Sequence, residues 1–152
     1  MTISIKVDGL EELNQAFDRL GSSGKREAAR ATRASLEKVR GDAVKAIQRG
    51  PTTGMTYERG PGQNLSSSHR ASAPGEAPAT DTGTLASSIN VKQIGPLVGT
   101  VGSSLNYAGW LEFGTLSMDA RPWLAPSLES NNRFIVDKFK DGLRRATAEF
   151  ER

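Results

Sequence analysis

The chain has 152 residues, a formal net charge of +3 and 36% hydrophobic residues, so one domain with its own core is expected. The absence of cysteine excludes disulfides and thiolate metal sites, and the single histidine, His69, leaves little scope for imidazole chemistry. No stretch approaches the ~20 apolar residues of a membrane span, and the first residues lack a secretory signal pattern, which together indicate a soluble cytoplasmic product.

Two elements are predicted at the start of the chain. Apolar and polar residues alternate over 2–7, which predicts a half-buried strand. Asp8 and Glu11 have the spacing of a capping box, and apolar residues then recur at helical spacing. Gly21 ends this predicted helix.

A second, long helix is predicted over 24–49, where a narrow apolar stripe ends at a Gly-Pro pair. Basic residues outnumber acidic ones in it by eight to three. Arg26, Arg30 and Arg33 could therefore contact DNA phosphates or an acidic partner. The alternative is a solvated helix face, which the lack of interleaved aromatic residues favours.

The segment 51–80 is rich in Gly, Pro, Ser and Thr and shows no periodicity, which is unusual inside a compact domain. Its large apolar anchors are Met55, Tyr57 and Leu65. We expect either an arm that a neighbouring subunit orders or a flexible insertion. His69 lies in the same polar segment and is expected to be exposed to solvent.

The Asp-Thr-Gly sequence at 81–83 matches the signature of aspartic proteases, whose paired aspartates share a proton in a buried cleft. The preceding Ala-Pro-Ala-Thr is not the apolar strand that such a site needs, so a protease is not expected. Leu85 and Ile89 stand four residues apart, which predicts a short helix capped by Asp81 or Thr82.

A β-hairpin is predicted from 90–94 and 97–103, with β-branched residues in both strands and a Gly-Pro turn between them. Glycines in this segment mark weak strands or the close approach of another backbone. The segment lacks the lysine and the following helix of a phosphate-binding loop.

Both tryptophans lie in one aromatic stretch. A short helix is predicted over 107–113, with Gly114 as its C-terminal stop. A short connector then lets the chain turn back, which can bring Trp110 and Phe113 near Trp123. Aromatic clusters of this kind usually form a core or the centre of an interface.

Glu112 and Arg121 are opposite charges within this otherwise apolar stretch. If both are buried, we expect them to form an ion pair, because an unpaired buried charge is costly. Pro122 suits the first turn of a helix. After Pro126, an apolar stripe predicts a long final helix. The residues of that stripe are Leu128, Ile135, Phe139, Leu143, Ala146 and Phe150.

Two motifs resemble those of a bacteriophage family, the head–tail joining, neck and tail-completion proteins of long-tailed double-stranded DNA phages. One is Tyr-Ala-Gly-Trp-Leu-Glu-Phe-Gly-Thr at 107–115, followed by Ala-Arg-Pro-Trp-Leu-Ala-Pro at 120–126. The other combines Pro-Gly-Glu-Ala-Pro at 74–78 with Asp-Thr-Gly-Thr-Leu at 81–85, in the same order as in that family. One departure is Trp123, where phenylalanine is expected.

The resemblance implies a non-enzymatic structural protein of the virion neck, made in the host cytoplasm and needing no cofactor. Its implied partners are further copies of itself in a ring, expected to be hexameric, and the neighbouring neck, connector and tail-tube proteins. DNA would pass through the ring without sequence specificity, and no membrane is involved. Two alternatives stay open: a nucleic-acid-binding protein that uses the basic helix 24–49, and the tail-terminator ring proper.

The expected fold is α+β, a small antiparallel or mixed sheet packed against two long helices, with a long extended loop. The chain 1–152 is expected to form a single structural domain in which 51–80 is a flexible or partner-ordered loop. No nucleophile, base and orienting group combine in the sequence, and no cluster has metal-ligand spacing. The candidate residues of a subunit or partner interface are Tyr57, Leu65, Tyr107, Trp110, Glu112, Phe113, Gly114, Arg121, Pro122 and Trp123.

Overall fold

The computed structural model describes residues 10–58 and 68–151, and these contain six helices and four short strands. The helices are α1 (Leu10–Arg19), α2 (Gly21–Arg49), α3 (Thr84–Ser88), α4 (Tyr107–Phe113), α5 (Ala125–Glu129) and α6 (Asn132–Phe150). The strands are β1 (Thr56–Glu58), β2 (Ser68–Arg70), β3 (Ile89–Gln93) and β4 (Gly99–Ser103). β1 pairs with β2 and β3 with β4 in two small antiparallel sheets, which confirms the predicted α+β class.

The two helices predicted near the start of the chain are confirmed as α1 and α2. α2 begins at Gly21, three residues before the predicted start. Gly21 has a φ of +60°, which glycine adopts without a Cβ clash, so α2 can begin almost directly after α1. The strand predicted over 2–7 and the Asp8 cap lie outside the described residues.

The chain forms two compact units. Of the described residues, the first unit contains 41–89 and 103–127, and the second contains 10–40, 90–102 and 128–151. The expectation of a single structural domain over the whole chain stays a prediction.

Helices α1, α2 and α6 supply the core of the second unit. Phe17 of α1 is buried and meets Phe139 of α6 edge to face, with ring centroids 6.3 Å apart. Ala28 of α2 is fully buried, and its small side chain permits close helix packing. The β3–β4 hairpin is tied to α2, because the Gln93 side chain donates to the Ala29 carbonyl at 3.0 Å.

The predicted hairpin is confirmed by β3 and β4. The Ile94 N–H donates to the Val98 carbonyl at 2.9 Å and closes the turn. Gly99 marks a close approach to a side chain of α2, since a Cβ there would lie 2.4 Å from Cδ1 of Leu36.

The core of the first unit includes the buried residues Ile47, Leu85, Trp123 and Leu124. Segment 51–80 contains the strands β1 and β2, which the sequence does not predict. Each has only three residues, too few for an alternating pattern to stand out.

Two predicted helix starts are wrong. Gly83, with a φ of +75°, is the N-cap of α3 in place of Asp81 or Thr82, although the Thr82 hydroxyl accepts a hydrogen bond from the Thr84 N–H at 3.4 Å. Pro126 rather than Pro122 occupies the first turn of α5, because the backbone before Ala125 is fixed by contacts with α4 described below.

The predicted final helix is α6, whose apolar stripe includes the buried Ala146. Within 10–58 and 68–151, no helix combines the length and the apolar content that crossing a membrane requires.

Candidate assembly surface

A buried carboxylate organises the aromatic stretch. Glu112 lies on the inner face of α4 and is 4% exposed. Its Oε2 accepts hydrogen bonds from the backbone N–H groups of Trp123 (2.8 Å) and Leu124 (3.0 Å), and its Oε1 accepts one from Ala125 (2.9 Å). N–H groups at the start of a helix have no helical carbonyl to bind. The carboxylate therefore fixes the start of α5 against α4.

The chain returns to Glu112 through a turn that requires glycine. Gly114 ends α4 with φ +77° and ψ −177°, a region essentially restricted to glycine. A Cβ there would lie 2.8 Å from the Met118 carbonyl oxygen. Beyond the turn, the Arg121 N–H donates to the Leu111 carbonyl at 2.6 Å, so the predicted reversal of the chain is confirmed.

Trp123 is a core residue of its own chain, with an exposed fraction of 0%. Its indole Nε1 donates to the Ala108 carbonyl at 3.4 Å, and the Ser127 hydroxyl donates to the Trp123 carbonyl at 2.7 Å. Trp123 therefore packs inside its own chain, and its predicted direct contact with a partner stays a prediction.

The predicted ion pair between Glu112 and Arg121 is wrong. Glu112 is satisfied by the three backbone N–H groups, and Arg121 is half-buried elsewhere. The Arg121 guanidinium donates to the carbonyls of Ser72 (3.3 Å) and Asp119 (3.2 Å). No carboxylate of the described residues lies within ion-pairing distance of it.

Arg121 lines an open pocket of about 280 Å³ in the first unit. Much of the pocket wall is apolar, because Pro78, Leu85, Tyr107 and Leu111 contribute to it. The pocket therefore combines the Arg121 guanidinium and the Asp81 carboxylate with a surface that can take an apolar side chain.

His69 also lines this pocket, although the sequence places it in solvent. It belongs to β2 and its side chain is 23% exposed, with Nδ1 3.8 Å from Oδ1 of Asp81. The expectation is wrong because β2 pairs with β1 and places His69 beside Asp81, a tertiary contact with no local sequence signal.

Four large side chains on and after α4 are exposed, and we call them the aromatic surface: Tyr107, Trp110, Phe113 and Leu116. The three aromatic residues stand three positions apart and share one side of α4. Trp110 is 57% exposed and Phe113 is 67% exposed, so neither joins Trp123 in the core. Side chains of this kind are typical of interface centres.

Other predicted interface residues lie apart from this surface along the chain. Tyr57 is exposed on β1, directly opposite His69 of β2. Pro122 is half-buried, and Leu65 lies outside the described residues.

The Pro-Gly-Glu motif has a structural role that sequence reasoning missed. The Glu76 carboxylate accepts hydrogen bonds from the hydroxyl and N–H of Thr53 and from the N–H of Ala73. The hydrogen bonds from Thr53 hold the pKa of Glu76 below its ordinary value. The Gly75 N–H donates to the Ala120 carbonyl at 2.9 Å. The two motifs of the sequence therefore meet in space.

The arginines proposed to contact DNA are largely engaged within the second unit. Glu27 is 1% exposed and pairs with Arg30 at 2.6 Å and with Arg145 at 2.7 Å. Arg26 pairs with Glu149, whereas Arg33 is exposed.

The pKa of Glu27 reflects two opposed effects. Burial by itself would raise the pKa, but the hydrogen bond and charge of Arg145, reinforced by Arg30, lower it below its ordinary value. Glu27 is therefore a structural anion that holds α6 to α2.

Comparison with known protein families shows which family the chain belongs to. Residues 11–114 match the family described as "Bacteriophage HK97-gp10, putative tail-component". The class is a structural component of phage tails, and its setting is the virion. The chain belongs to the HK97-gp10-like family. Searches of curated proteins and of solved structures gave no match.

The match confirms the resemblance found in the sequence. It includes the motifs at 74–78 and 81–85 and the helix that carries Trp110. The motif at 120–126 follows the matched range. Within the described residues, no group of three or more His, Cys, Asp or Glu side chains is placed to hold a metal ion.

Proposed function

We propose that this tail component is a non-enzymatic subunit of a ring around the DNA channel, which joins or completes the tail at the head–tail interface. The ring is hexameric and contacts the neighbouring neck, connector and tail-tube proteins. DNA passes through its lumen without sequence-specific contacts. Family membership supports this role, and a ring closes when each copy contacts the next through two different surfaces.

The observation that carries the proposal is the exposed aromatic surface. Trp110 and Phe113 remain more than half exposed in the isolated chain, while the stretch that bears them is held rigidly by Glu112. Apolar patches larger than ~300–600 Å² are uncommon on monomers and mark protein interaction sites. A rigid, exposed patch of aromatic residues is suited to subunit assembly.

Segment 51–80 acts in this proposal as an arm that a neighbouring subunit orders. Its base is fixed by Glu76, and Met55 and Tyr57 present apolar side chains to solvent. Leu65 contributes to the same contact. The whole chain then functions as one structural domain with this arm attached.

Phage particles test the proposal. Mass spectrometry of purified particles should detect the chain, and electron microscopy should show unjoined heads and tails when its gene is deleted. A Trp110→Ser, Phe113→Ser variant should fail to restore infectivity, whereas the control Val136→Ser, an exposed apolar residue of the second unit, should restore it. Purified particles without the chain, or full infectivity of the Trp110 and Phe113 variant, would contradict the proposal.

The two alternatives make different predictions. A nucleic-acid-binding role needs free cations on α2, but Arg26 and Arg30 are paired with glutamates. A steep loss of DNA affinity with rising salt would support that role. If the chain forms the tail-terminator ring, electron microscopy would show it at the end of tails that assemble in the absence of heads.

A further inference from the structure

Two opposite charges of the first unit have no ionic partner among residues 10–58 and 68–151. Arg121 is half-buried at the pocket, and its guanidinium donates to two backbone carbonyls. Glu58 is exposed at the end of β1, and no cation of the described residues lies within ion-pairing distance of it. A half-buried guanidinium is stabilised when a carboxylate satisfies its remaining N–H groups. Within one chain, these two groups do not meet.

Glu58 is distinguished by the residue before it. Tyr57 is 55% exposed and places an aromatic ring next to the exposed Glu58 carboxylate. Val136 is also exposed and precedes Asp137, but that carboxylate is engaged with an arginine of α6. Glu112 adjoins an exposed aromatic ring, but its own carboxylate is buried and satisfied. The Tyr57–Glu58 pair therefore matches two parts of the pocket lining, the Arg121 guanidinium and the apolar wall.

We propose that Tyr57 and Glu58 of one copy enter the Arg121 pocket of the next copy, with Glu58 bound by Arg121. Successive side chains of a strand point to opposite sides, so a strand that enters a cleft edge-on meets both walls. Tyr57 then packs on the apolar wall around Leu85 and Pro78. β1 can enter in this way, because it pairs only with β2 among the described strands and its other edge is open.

The exposed area favours a second copy as the occupant. Six large side chains of the first unit are exposed: Met55, Tyr57, Tyr107, Trp110, Phe113 and Leu116. At ~200 Å² per large side chain, their exposed fractions amount to on the order of 800 Å². A standard interface buries about that area on each partner. One copy thus carries enough apolar surface for a stable contact with another.

The contact is heterologous, because β1 of one copy meets the pocket of the next. Such contacts form a ring when the rotation between copies closes. The inference therefore rests on the proposed ring and names the groups that join its subunits. The remaining ionisable groups of the pocket are His69 and Asp81, and Nδ1 of His69 lies 3.8 Å from Oδ1 of Asp81.

Charge reversal tests the contact in the full chain. Size-exclusion chromatography with light scattering would be run on the wild type, Glu58→Arg, Arg121→Glu, the double variant and a mixture of the two single variants. The wild type should form species larger than 16.3 kDa, and each single reversal should weaken association at least ~10-fold. The double variant and the mixture should both recover association, because each restores opposite charges at the contact.

The matched control is Glu129→Arg, which reverses another exposed glutamate and should associate like the wild type. Circular dichroism shows whether Arg121→Glu folds, and if it does not, Glu58→Arg and Tyr57→Ser carry the test at exposed positions. A wild type that stays monomeric up to ~1 mM, or a Glu58→Arg variant that associates normally, overturns the contact. Neither result bears on whether the chain is present in the virion, which the phage-particle experiments test. The proposed function is therefore tested separately from this contact.

Discussion

Replacing Glu112 with glutamine tests whether the buried carboxylate holds α4 against α5. Glutamine has similar size but only one acceptor oxygen, so it cannot receive all three N–H groups of residues 123–125. At least one buried N–H loses its partner, at a cost of ~1–3 kcal/mol, and the others lose the charge of the acceptor. We expect the free energy of unfolding to fall by ~2–4 kcal/mol, which lowers the melting temperature by roughly 5–15 °C.

Thermal unfolding followed by far-UV circular dichroism measures this change. Glu129→Gln is the control, since Glu129 is exposed and its loss should change stability by less than ~0.5 kcal/mol. A similarly small loss for Glu112→Gln would refute the hydrogen-bond argument. If Arg121→Met were as damaging and strongly coupled to Glu112→Gln in a double-mutant cycle, the ion pair expected from the sequence would be the correct account.

Three further predictions concern the core, the turn and the pH dependence. Trp123→Ala should cost ~3–5 kcal/mol because the side chain is fully buried, and an unchanged melting temperature would refute its core position. Gly114→Ala should cost at least ~2 kcal/mol because of its positive φ and the 2.8 Å approach to the Met118 oxygen, whereas Gly41→Ala, where an added Cβ meets nothing within 4 Å, should not destabilise. Because folding lowers the pKa of Glu27 from 4.5, its ionised form stabilises the protein above pH 4.5, and this stabilisation is lost as the pH falls through the lowered pKa. The difference in unfolding free energy between wild type and Glu27→Gln should therefore be largest at neutral pH and disappear in acid. Chemical denaturation at both pH values measures this difference, and an equal difference at the two pH values would contradict the prediction.

The local elements of the chain could be predicted well where a long or distinctive pattern exists. The periodicity of α2 and α6, the Gly-Pro turn of the hairpin and the stop at Gly114 all depend on neighbouring residues. The strands β1 and β2 escaped prediction because three residues carry too little pattern. The start predicted for α5 is wrong because hydrogen bonds between Glu112 and residues 123–125 fix the backbone before that helix.

The sequence by itself determined the α+β class, the long helices and the motifs that identify a phage tail component, because these depend on spacing along the chain. Only the tertiary structure decided which charges meet. Glu112 and Arg121 are opposite charges in one otherwise apolar stretch, yet the carboxylate binds the backbone of residues 123–125 and the guanidinium binds two carbonyls. A buried charge forms hydrogen bonds with the groups that the folded backbone places within ~3 Å. Because every residue except proline has a backbone N–H, the sequence does not indicate which of these groups will bind the charge. The same reason explains why His69 lies beside Asp81.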